Sequence, residues 1–392
     1  MSMKEDLNKE KLSDFFRKNS MTIILISIII IFQILTGGLL LKPLNVTNLF
    51  LQNSHILVLT IGMLILIVLN HIDLSVGSIV AVIGAIAGVL MTKYQIPVGV
   101  TILISIVIGG LIGAMQGFWV AYLSVPAFIV TLAGQLLFRG LTMIILKGKT
   151  IAPLPKSFQF FSSKFIPEFL PEFGGLKMNA IIFGLVTSII LIVLSNNKRN
   201  KKIKYGQNVD KFNKFVFKNI AIILAIMGFS YLLASYQGLP VIMLILLFLI
   251  VIYNFVMNNT KIGRHIYAIG GNLQAAVLSG IEANRITFYG FVNMGVLAAI
   301  SGLIFASRLN ASTPQAGVSF ELDAIAACYI GGASASGGIG KVVGAIIGGF
   351  VMAVLNNGMS LMGIGIDVQQ AIKGLVLLAA VTLDIYNRKK IG

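Results

Sequence analysis

The sequence has few charged residues. Of its 392 residues only 11% are charged, whereas 57% are hydrophobic, and soluble domains carry roughly 25% charged residues. The shortage of charge comes with repeated apolar runs of about the length that crosses a bilayer. Together these features exclude an ordinary soluble domain and predict an all-α membrane protein with many spans.

The sequence also lacks the residues that build disulfides, metal centres and nucleotide sites. A single cysteine, Cys328, excludes a disulfide within the chain. The histidines His55, His71 and His265 are scattered without the spacing of a zinc site. The triplet at 148–150 reads Gly-Lys-Thr, but the glycine that a phosphate-binding loop needs five residues before its second glycine is replaced by methionine. We therefore expect no cofactor and no ATP-splitting site in this chain.

Acidic residues are scarce as well, so the net charge is +17 at pH 7. With the N-terminus placed inside, 20 of the 30 basic residues fall in cytoplasmic segments and eight in outer segments. This is the asymmetry that orients membrane proteins. It predicts that both termini are cytoplasmic, and it argues against a nucleic acid as the partner of the basic residues.

The apolar runs predict about ten to twelve transmembrane helices. The candidate spans are 21–41, 54–70, 76–92, 98–123, 127–147, 178–195, 219–235, 239–257, 286–307, 321–336, 341–361 and 368–386. The tenth candidate is short and rich in glycine, so we expect a broken or re-entrant helix there.

Polar segments divide the chain into regions. The predicted regions are a cytoplasmic segment at 1–20, a transmembrane domain at 21–386 with an outer loop at 148–177 and cytoplasmic loops at 196–218 and 258–285, and a cytoplasmic tail at 387–392. The loop at 196–218 is rich in lysine, which favours a topology signal attracted to anionic lipid headgroups. A partner-binding role is the alternative.

Glycine recurs at every fourth position in several candidate spans. The rows are Gly84 and Gly88; Gly109, Gly113 and Gly117; and Gly340, Gly344 and Gly348. This spacing places small residues on one face of a helix and favours close helix packing. Lining of a pore is the alternative.

Polar residues within or beside the spans mark a candidate solute path. Asp73 either caps the helix that follows it or lies in the path. Arg139 needs a partner in protein or water, and a structural partner is favoured over a contact with the solute. Irregular backbone after residue 330 persists at membrane depth only beside protein or a water-filled cavity. The candidate path residues are Asp73, Ser75, Gln135, Arg139, Glu321, Asp323, Gly331, Gly332, Ser334 and Asn356.

Several stretches follow the order found in one family. They are IDLSVGS at 72–78, PAFIVTLAG at 126–134, LFRGLT at 137–142, GRHIYAIGGN at 263–272, ELDAIAACYIGGASASGGIG at 321–340, NNGMSLMG at 356–363 and QAIKGLVLLAAV at 370–381. With them the chain resembles the permease subunit of bacterial ABC importers for monosaccharides, of the ribose/xylose type. It looks most similar to the multiple-monosaccharide and xylose permeases.

The resemblance implies a location and a set of partners. It implies a ten-helix permease core in the bacterial plasma membrane, with the pair at 178–195 and 219–235 as an insertion. Two permease copies would form the channel. A separate protein with two ATP-binding domains would drive it from inside, and an extracytoplasmic sugar-binding protein would deliver the sugar from outside.

The resemblance also implies that the loop at 258–285 carries a coupling helix. The run QAAVLSG at 274–280 resembles the E-A-A-x-x-x-G signature of importers, with Gln274 in place of glutamate, which removes one charge from the docking surface. The expected coupling residues are Gly263, Arg264, Asn272, Gln274, Ala275, Ala276, Leu278, Ser279 and Gly280.

Three other functions remain as alternatives. A related ABC permease would carry nucleosides, branched-chain amino acids or a signalling sugar. A secondary transporter driven by protons or sodium would need carboxylates in mid-span, whereas the charges here fall mostly at span ends. A membrane enzyme would need clustered catalytic side chains, and the sequence shows no such cluster.

Overall fold

The computed structural model describes residues 21–207, 209 and 211–389. Within that part of the chain there are 15 helices and no β-sheet. The predicted cytoplasmic segment at 1–20 and the end of the predicted tail, residues 390–392, lie outside it. The prediction of an all-α fold is confirmed.

The helices follow one another with short connections. They are α1 (Met21–Leu35), α2 (Pro43–Val68), α3 (Val76–Thr92), α4 (Val98–Ala121), α5 (Ala127–Leu146), α6 (Lys156–Ser163), α7 (Met178–Lys204), α8 (Phe212–Ala234), α9 (Val241–Asn259), α10 (Lys261–Gly271), α11 (Leu273–Leu278), α12 (Ala283–Leu309), α13 (Phe320–Ile330), α14 (Val342–Leu361) and α15 (Ile366–Lys389). Each of the twelve predicted spans overlaps one helix. Eight helices in the described part of the chain are long and apolar enough to cross a membrane, and α1 and α3 are shorter apolar helices. The chain is a multi-pass membrane protein.

Proline stands at the start of several helices. Because proline has no backbone N–H and a fixed φ, it begins a helix without losing a hydrogen bond. The residues in this role are Pro43, Pro97, Pro126, Pro155 and Pro240.

The centre of the bundle is α2, whose most apolar stretch is 94% buried. It runs antiparallel to α12, because Ser301 Oγ donates to the carbonyl oxygen of His55 while the side chain of Met294 packs beside Gly62. We call the end of the bundle that carries α10 and α11 the inner end, which the charge distribution predicts to be cytoplasmic. The opposite end, which carries α6, is the outer end.

The glycine rows hold helices at close distance. A Cβ atom at Gly109 would lie 2.5 Å from the carbonyl oxygen of Gly295, and one at Gly113 would lie 2.3 Å from that of Phe291. The row therefore faces α12 from the middle of α4 toward its C-terminal end. In the same way Gly348 packs α14 against α13. The packing interpretation is confirmed for Gly109, Gly113, Gly117, Gly344 and Gly348, whereas Gly340 lies before the start of α14.

Two spans are broken in the middle of the bundle. The short helices α3 and α13 are each preceded by a non-helical segment, the inner linker at 69–75 and the outer linker at 310–319. The outer linker pairs with Ile151 at the outer end and then descends into the bundle. There Gly317 packs on Gly77, so closely that a Cβ atom at Gly317 would lie 1.8 Å from the carbonyl oxygen of Gly77.

The broken spans correct one expectation and confirm another. The gap between the candidate spans 286–307 and 321–336 predicts an outer loop, but Pro314, Ala316 and Gly317 of the outer linker are buried. The expected broken tenth span is confirmed by α13. As a result, α3 and α13 begin beside each other inside the bundle and run toward opposite ends.

The chain contains the same succession of elements twice. In α2–α5 and again in α12–α15, a long helix is followed by a linker, a short helix and two more helices. Since α2 and α12 are antiparallel, the two halves have inverted orientations. This arrangement brings the starts of the two short helices together.

The predicted inserted pair forms a hairpin at the edge of the bundle. The helices α7 and α8 pack on each other, and only 17% and 11% of their most apolar stretches are buried. The basic segment expected as a loop at 196–218 is largely helical, because α7 continues to Lys204 and α8 begins at Phe212. Lysine is compatible with helix, so charge alone did not mark the end of α7.

The close packing of α4 on α12 predicts a difference between two neighbouring glycines. Gly113→Ala places a methyl group against backbone atoms that cannot move aside. We therefore expect the free energy of unfolding to fall by about 1–3 kcal/mol. At Gly110 the nearest atom is a side-chain methyl of Val296 at 3.4 Å, so Gly110→Ala is the matched control. Thermal unfolding of the purified protein in detergent measures both. Equal melting temperatures for the two variants would contradict the packing of this row.

Candidate functional site

A buried polar cluster lies where α3 begins. Asp73 Oδ1 accepts hydrogen bonds from the backbone N–H of Ser75 at 2.8 Å and from its hydroxyl at 2.6 Å. Gln116 Nε2 of α4 donates to the same hydroxyl at 2.7 Å. All three residues are buried. Asp73 therefore fixes the turn that precedes α3, because it binds the N–H of the N-cap residue Ser75, while Ser75 itself makes no side-chain capping bond.

The start of α13 completes the cluster from the other side. Its first turn carries Glu321 and Asp323, where carboxylates are favoured by the helix dipole. Lys373 Nζ of α15 binds Asp323 Oδ2 at 3.0 Å. Gln135 Nε2 of α5 donates to Glu321 Oε1 at 3.4 Å, and the side chain of Asn356 lies near Asp323. Each predicted carboxylate of α13 thus has a polar partner on a neighbouring helix.

Arg139 of α5 binds the outer linker. Its Nη1 donates to the carbonyl oxygens of Pro314 at 2.9 Å and Ala316 at 2.7 Å. Its charge also interacts with that of Glu321. The interpretation that Arg139 has a partner within the protein is confirmed.

The polar groups at the start of α3 and those at the start of α13 form one site. Glu321 Oε2 lies 2.6 Å from the position that a Cβ atom of Gly77 would take, two residues beyond Ser75, so Glu321 joins the two groups. Charges at membrane depth are costly unless they pair or face a cavity, and here Arg139 and Lys373 supply the opposite charge. Arg139 and Lys373 are only partly buried. The cluster thus offers donors and acceptors to a polar, uncharged molecule that reaches it from their side.

Three predicted path residues lie elsewhere. Gly331, Gly332 and Ser334 follow α13 at its far end, about 15 Å along the helix axis from the polar cluster. Gly331 packs on the backbone of Gly344, and Ser334 Oγ accepts from the N–H of Ser336. This part of the predicted site belongs to the inner end of the bundle.

The predicted coupling loop consists of two capped helices. Thr260 Oγ1 accepts from the N–H of Gly263 at the start of α10, and Asn272 Oδ1 accepts from the N–H of Ala275 at the start of α11. The end of α11 has the two backbone bonds of a Schellman motif, with Gly280 in the left-handed conformation at φ +81°. These caps define α11 as a short, fixed projection between two turns.

An apolar surface of α11 is exposed. Leu278 is 89% exposed, the highest value of any large hydrophobic residue in the described chain, and Leu273 and Val277 are more than half exposed. Gln274 and Ala275 are exposed too, as are Arg264, Asn272, Ser279 and Gly280. Gly263 and Ala276 are instead buried against the chain. The sequence reasoning missed Leu273 and Val277, although three apolar residues within six positions of a polar segment were a signal.

The inner helices are fixed to the core through α10. The hydroxyl of Tyr267 donates to the carbonyl oxygen of Gly340 at 2.6 Å. Burial raises the pKa of Tyr267, so its hydroxyl stays protonated and able to donate. A Cβ atom at Gly270 would lie 1.6 Å from the carbonyl oxygen of Val68, which also accepts from the N–H of Gly338 at 2.9 Å. A glycine pair within a helical pattern was only a weak signal for these contacts.

A cavity of about 700 Å³ joins the inner helices to the inner linker. His71 of the inner linker, Pro126 before α5 and Asn272 between α10 and α11 contribute to its wall. Two residues further along the inner linker is Asp73. The inner linker thus connects this cavity with the polar cluster.

Comparisons with known proteins agree on a family. A family model described as "Branched-chain amino acid transport system / permease component" matches residues 45–199 and 165–381. The xylose transport system permease protein XylH of Haemophilus influenzae is 39% identical over 371 residues, which are 94% of this chain and 96% of that protein. XylH of Escherichia coli K12 is 38% identical over 366 residues, 93% of this chain and 91% of that protein.

A ribose permease is similar as well. The ribose import permease protein RbsC of Haemophilus influenzae is 34% identical over 342 residues, 87% of this chain and 85% of that protein. No solved structure matches the chain. Because the family model covers most of the sequence and these relatives match it nearly end to end, the chain belongs to the family of transport-system permease components that includes the xylose and ribose permeases.

Proposed function

We propose that the chain is the permease subunit of an ABC importer for monosaccharides, in the bacterial plasma membrane. The similarity to xylose and ribose permeases along almost the whole chain is the observation that carries this function. Xylose is the first substrate to test, because the XylH proteins are more similar to this chain than the RbsC protein. Nucleosides, branched-chain amino acids and a signalling sugar are the alternative substrates within the same class.

The exposed surface of α11 supports an ATP-binding partner at the inner end. Leu273, Val277 and Leu278 present apolar side chains on a short helix fixed by caps at both ends. Such a projection fits a cleft on another protein, where its apolar area would be removed from water. Ala276 holds α11 on the permease itself, so the docking contact belongs to the exposed residues. Gln274 at the edge of this surface supplies a neutral polar group.

The outer end supports a sugar-binding protein as the second partner. The outer loop at 148–177 contains α6 and exposes the rings of Phe169 and Phe173. Exposed aromatic side chains near acidic residues are suited to a contact with another protein. The sugar would enter the permease from this end.

A second copy of the chain would complete the solute path. The helices α5 and α15 carry Arg139 and Lys373 of the polar cluster, and beside these cations they expose large apolar residues such as Leu136 and Leu375. An apolar face around a polar opening suits contact with an identical face, while the polar groups line a passage between the copies.

The polar cluster is the proposed solute path in mid-membrane. Its residues are Asp73, Ser75, Gln135, Arg139, Glu321, Asp323 and Asn356, with Lys373 added by the structure. A sugar has hydroxyl groups that both donate and accept, so paired carboxylates, amides and cations would hold it briefly. Gly331, Gly332 and Ser334 are proposed as the inner part of the same route.

Movement of the ATP-binding partner would reach the cluster through α10. A displacement of α11 moves α10, whose Gly270 touches the end of α2 at Val68. The inner linker starts at the next residue and leads to Asp73. Pushing on α11 would therefore shift the start of α3 and change which end of the path is open.

The docking role of α11 predicts the effect of a charge at its most exposed position. Leu278→Arg leaves the fold intact because the side chain is exposed, but it puts a charge where apolar burial would contribute about 1.5–3 kcal/mol to docking. We expect the ATP-binding subunit to be lost on co-purification and ATP-dependent xylose uptake to fall at least about tenfold.

The matched control is Ile203→Arg, at an exposed aliphatic position of α7 on the same end of the bundle. We expect this variant to bind the ATP-binding subunit and to transport normally. Normal uptake by Leu278→Arg would count against docking through α11.

The ion pair between Lys373 and Asp323 predicts a second contrast. Lys373→Met leaves the buried carboxylate of Asp323 without its cation. We therefore expect the free energy of unfolding to fall by about 3–5 kcal/mol. The double variant Lys373→Met with Asp323→Asn removes both charges and should recover most of that stability. If the pair lines the path, the double variant stays deficient in uptake although it is folded. Full uptake by the folded double variant would show that the ion pair does not line the solute path.

The buried carboxylates also give a reason to test the ion-coupled alternative. Asp73, Glu321 and Asp323 lie inside the bundle rather than at span ends, which is what a proton-driven carrier would require. Vesicles that contain the chain alone distinguish the two functions. Sugar uptake driven by a proton gradient without ATP or partners would support the carrier and contradict the importer.

A further inference from the structure

The outer linker is held at three points. At the outer end the backbone of Ser312 pairs with Ile151, and its hydroxyl donates to the carbonyl oxygen of Gly84 at 2.7 Å. Near the start of α13, Gly317 of the outer linker is packed on Gly77. Between these two points Arg139 binds the carbonyl oxygens of Pro314 and Ala316.

These carbonyl groups need a donor for a physical reason. The outer linker is not helical. The N–H of Ala316 binds the carbonyl oxygen of Thr313, but the carbonyl oxygens of Pro314 and Ala316 need donors from elsewhere. An unpaired carbonyl in a membrane interior costs several kcal/mol. Both bonds come from Nη1 of one guanidinium group. Hydrogen bonds from a charged donor are also stronger than neutral ones. Arg139 is therefore the contact that tethers the middle of the outer linker to α5.

The outer linker has one buried and one exposed side. Pro314, Ala316 and Gly317 face the protein, whereas Gln315 and Val318 are exposed. The carbonyl oxygen of Gly317 and Glu321 Oε2 both lie within 2.6 Å of the position that a Cβ atom of Gly77 would take, so the segment ends beside the polar cluster. Displacing it requires breaking the two bonds to Arg139.

We propose that Arg139 is a positioning residue that fixes the outer linker over the polar cluster, and that the outer linker closes the outer end of the solute path. Movement of α5 relative to α13 breaks the two hydrogen bonds and lets the outer linker move away. The closing role rests on the proposed function, whereas the fixing role is a property of the chain by itself.

The fixing role is tested by the accessibility of a buried position. In a chain with Cys328→Ala, a cysteine introduced by Ala316→Cys is buried and should react slowly with a membrane-impermeant thiol reagent. We expect Arg139→Gln to raise its rate of modification about tenfold or more, because two charge-assisted bonds are lost. Arg139→Lys, which keeps the charge on a shorter side chain, should give a smaller increase.

Two controls identify the cause of any increase. Arg308→Gln removes a cation at the start of the outer linker and leaves both carbonyl contacts in place, so we expect no increase. A cysteine introduced by Val318→Cys is exposed from the outset, so its rate should be the same with and without Arg139. An unchanged rate at position 316 in both Arg139 variants, or an equal increase in Arg308→Gln, would overturn the fixing role.

The closing role is tested by transport in the same variants. We expect Arg139→Gln to lower ATP-dependent uptake at least tenfold while Arg308→Gln transports normally. A raised modification rate with normal uptake would show that the outer linker is held by Arg139 but does not close the path. Absence of ATP-dependent uptake by the parent protein would instead contradict the proposed function, and it would leave the accessibility result standing. If Arg139→Gln does not fold, the comparison of Arg139→Lys with Arg308→Gln decides both roles.

Discussion

The structure depends on one contact, the packing of Gly317 on Gly77. Each glycine lies at or just before the start of a short helix, and a side chain at either position would overlap the backbone of the other. Only glycine permits this approach, and its backbone flexibility accommodates the φ of +73° at Gly317. Because the contact joins two interrupted spans, it places two helix starts in the interior of a membrane protein. The polar groups of the site are a consequence of that placement.

Two interrupted spans leave backbone groups that lipid cannot satisfy. The chain satisfies them with side chains from neighbouring helices: Asp73 binds the start of α3, and Arg139 binds the outer linker. The side chains that complete the backbone hydrogen bonding are therefore the same ones that form the polar cluster. At the inner end, Gly270 and Tyr267 connect the exposed helix α11 with this interior. The contacts that support the structure are thus the same ones through which a movement of α11 is proposed to reach the polar cluster.

Hydropathy and spacing were sufficient for much of the fold. The helices at the twelve apolar runs, the packing role of the glycine row in α4 and the exposure of Gln274 and Leu278 follow from local patterns. The interruption before α3 does not follow from local patterns. The apolar residues of α3 would be the same if the residues before them were helical. The burial of the outer linker was missed because Arg139, which satisfies it, is 175 residues away from Pro314. Ala276 was expected to face the partner, but only packing in three dimensions distinguishes it from Ala275.

The central claim is that ATP binding by a partner at the inner end changes the outer end of the path. The most direct measurement is the rate at which a membrane-impermeant reagent modifies the cysteine of Ala316→Cys in the complex with the ATP-binding subunit, with and without a non-hydrolysable ATP analogue. We predict a faster rate when the analogue is bound, since the outer linker then moves away from Arg139. An identical rate in the two states, in a complex that binds the analogue, would contradict the claim.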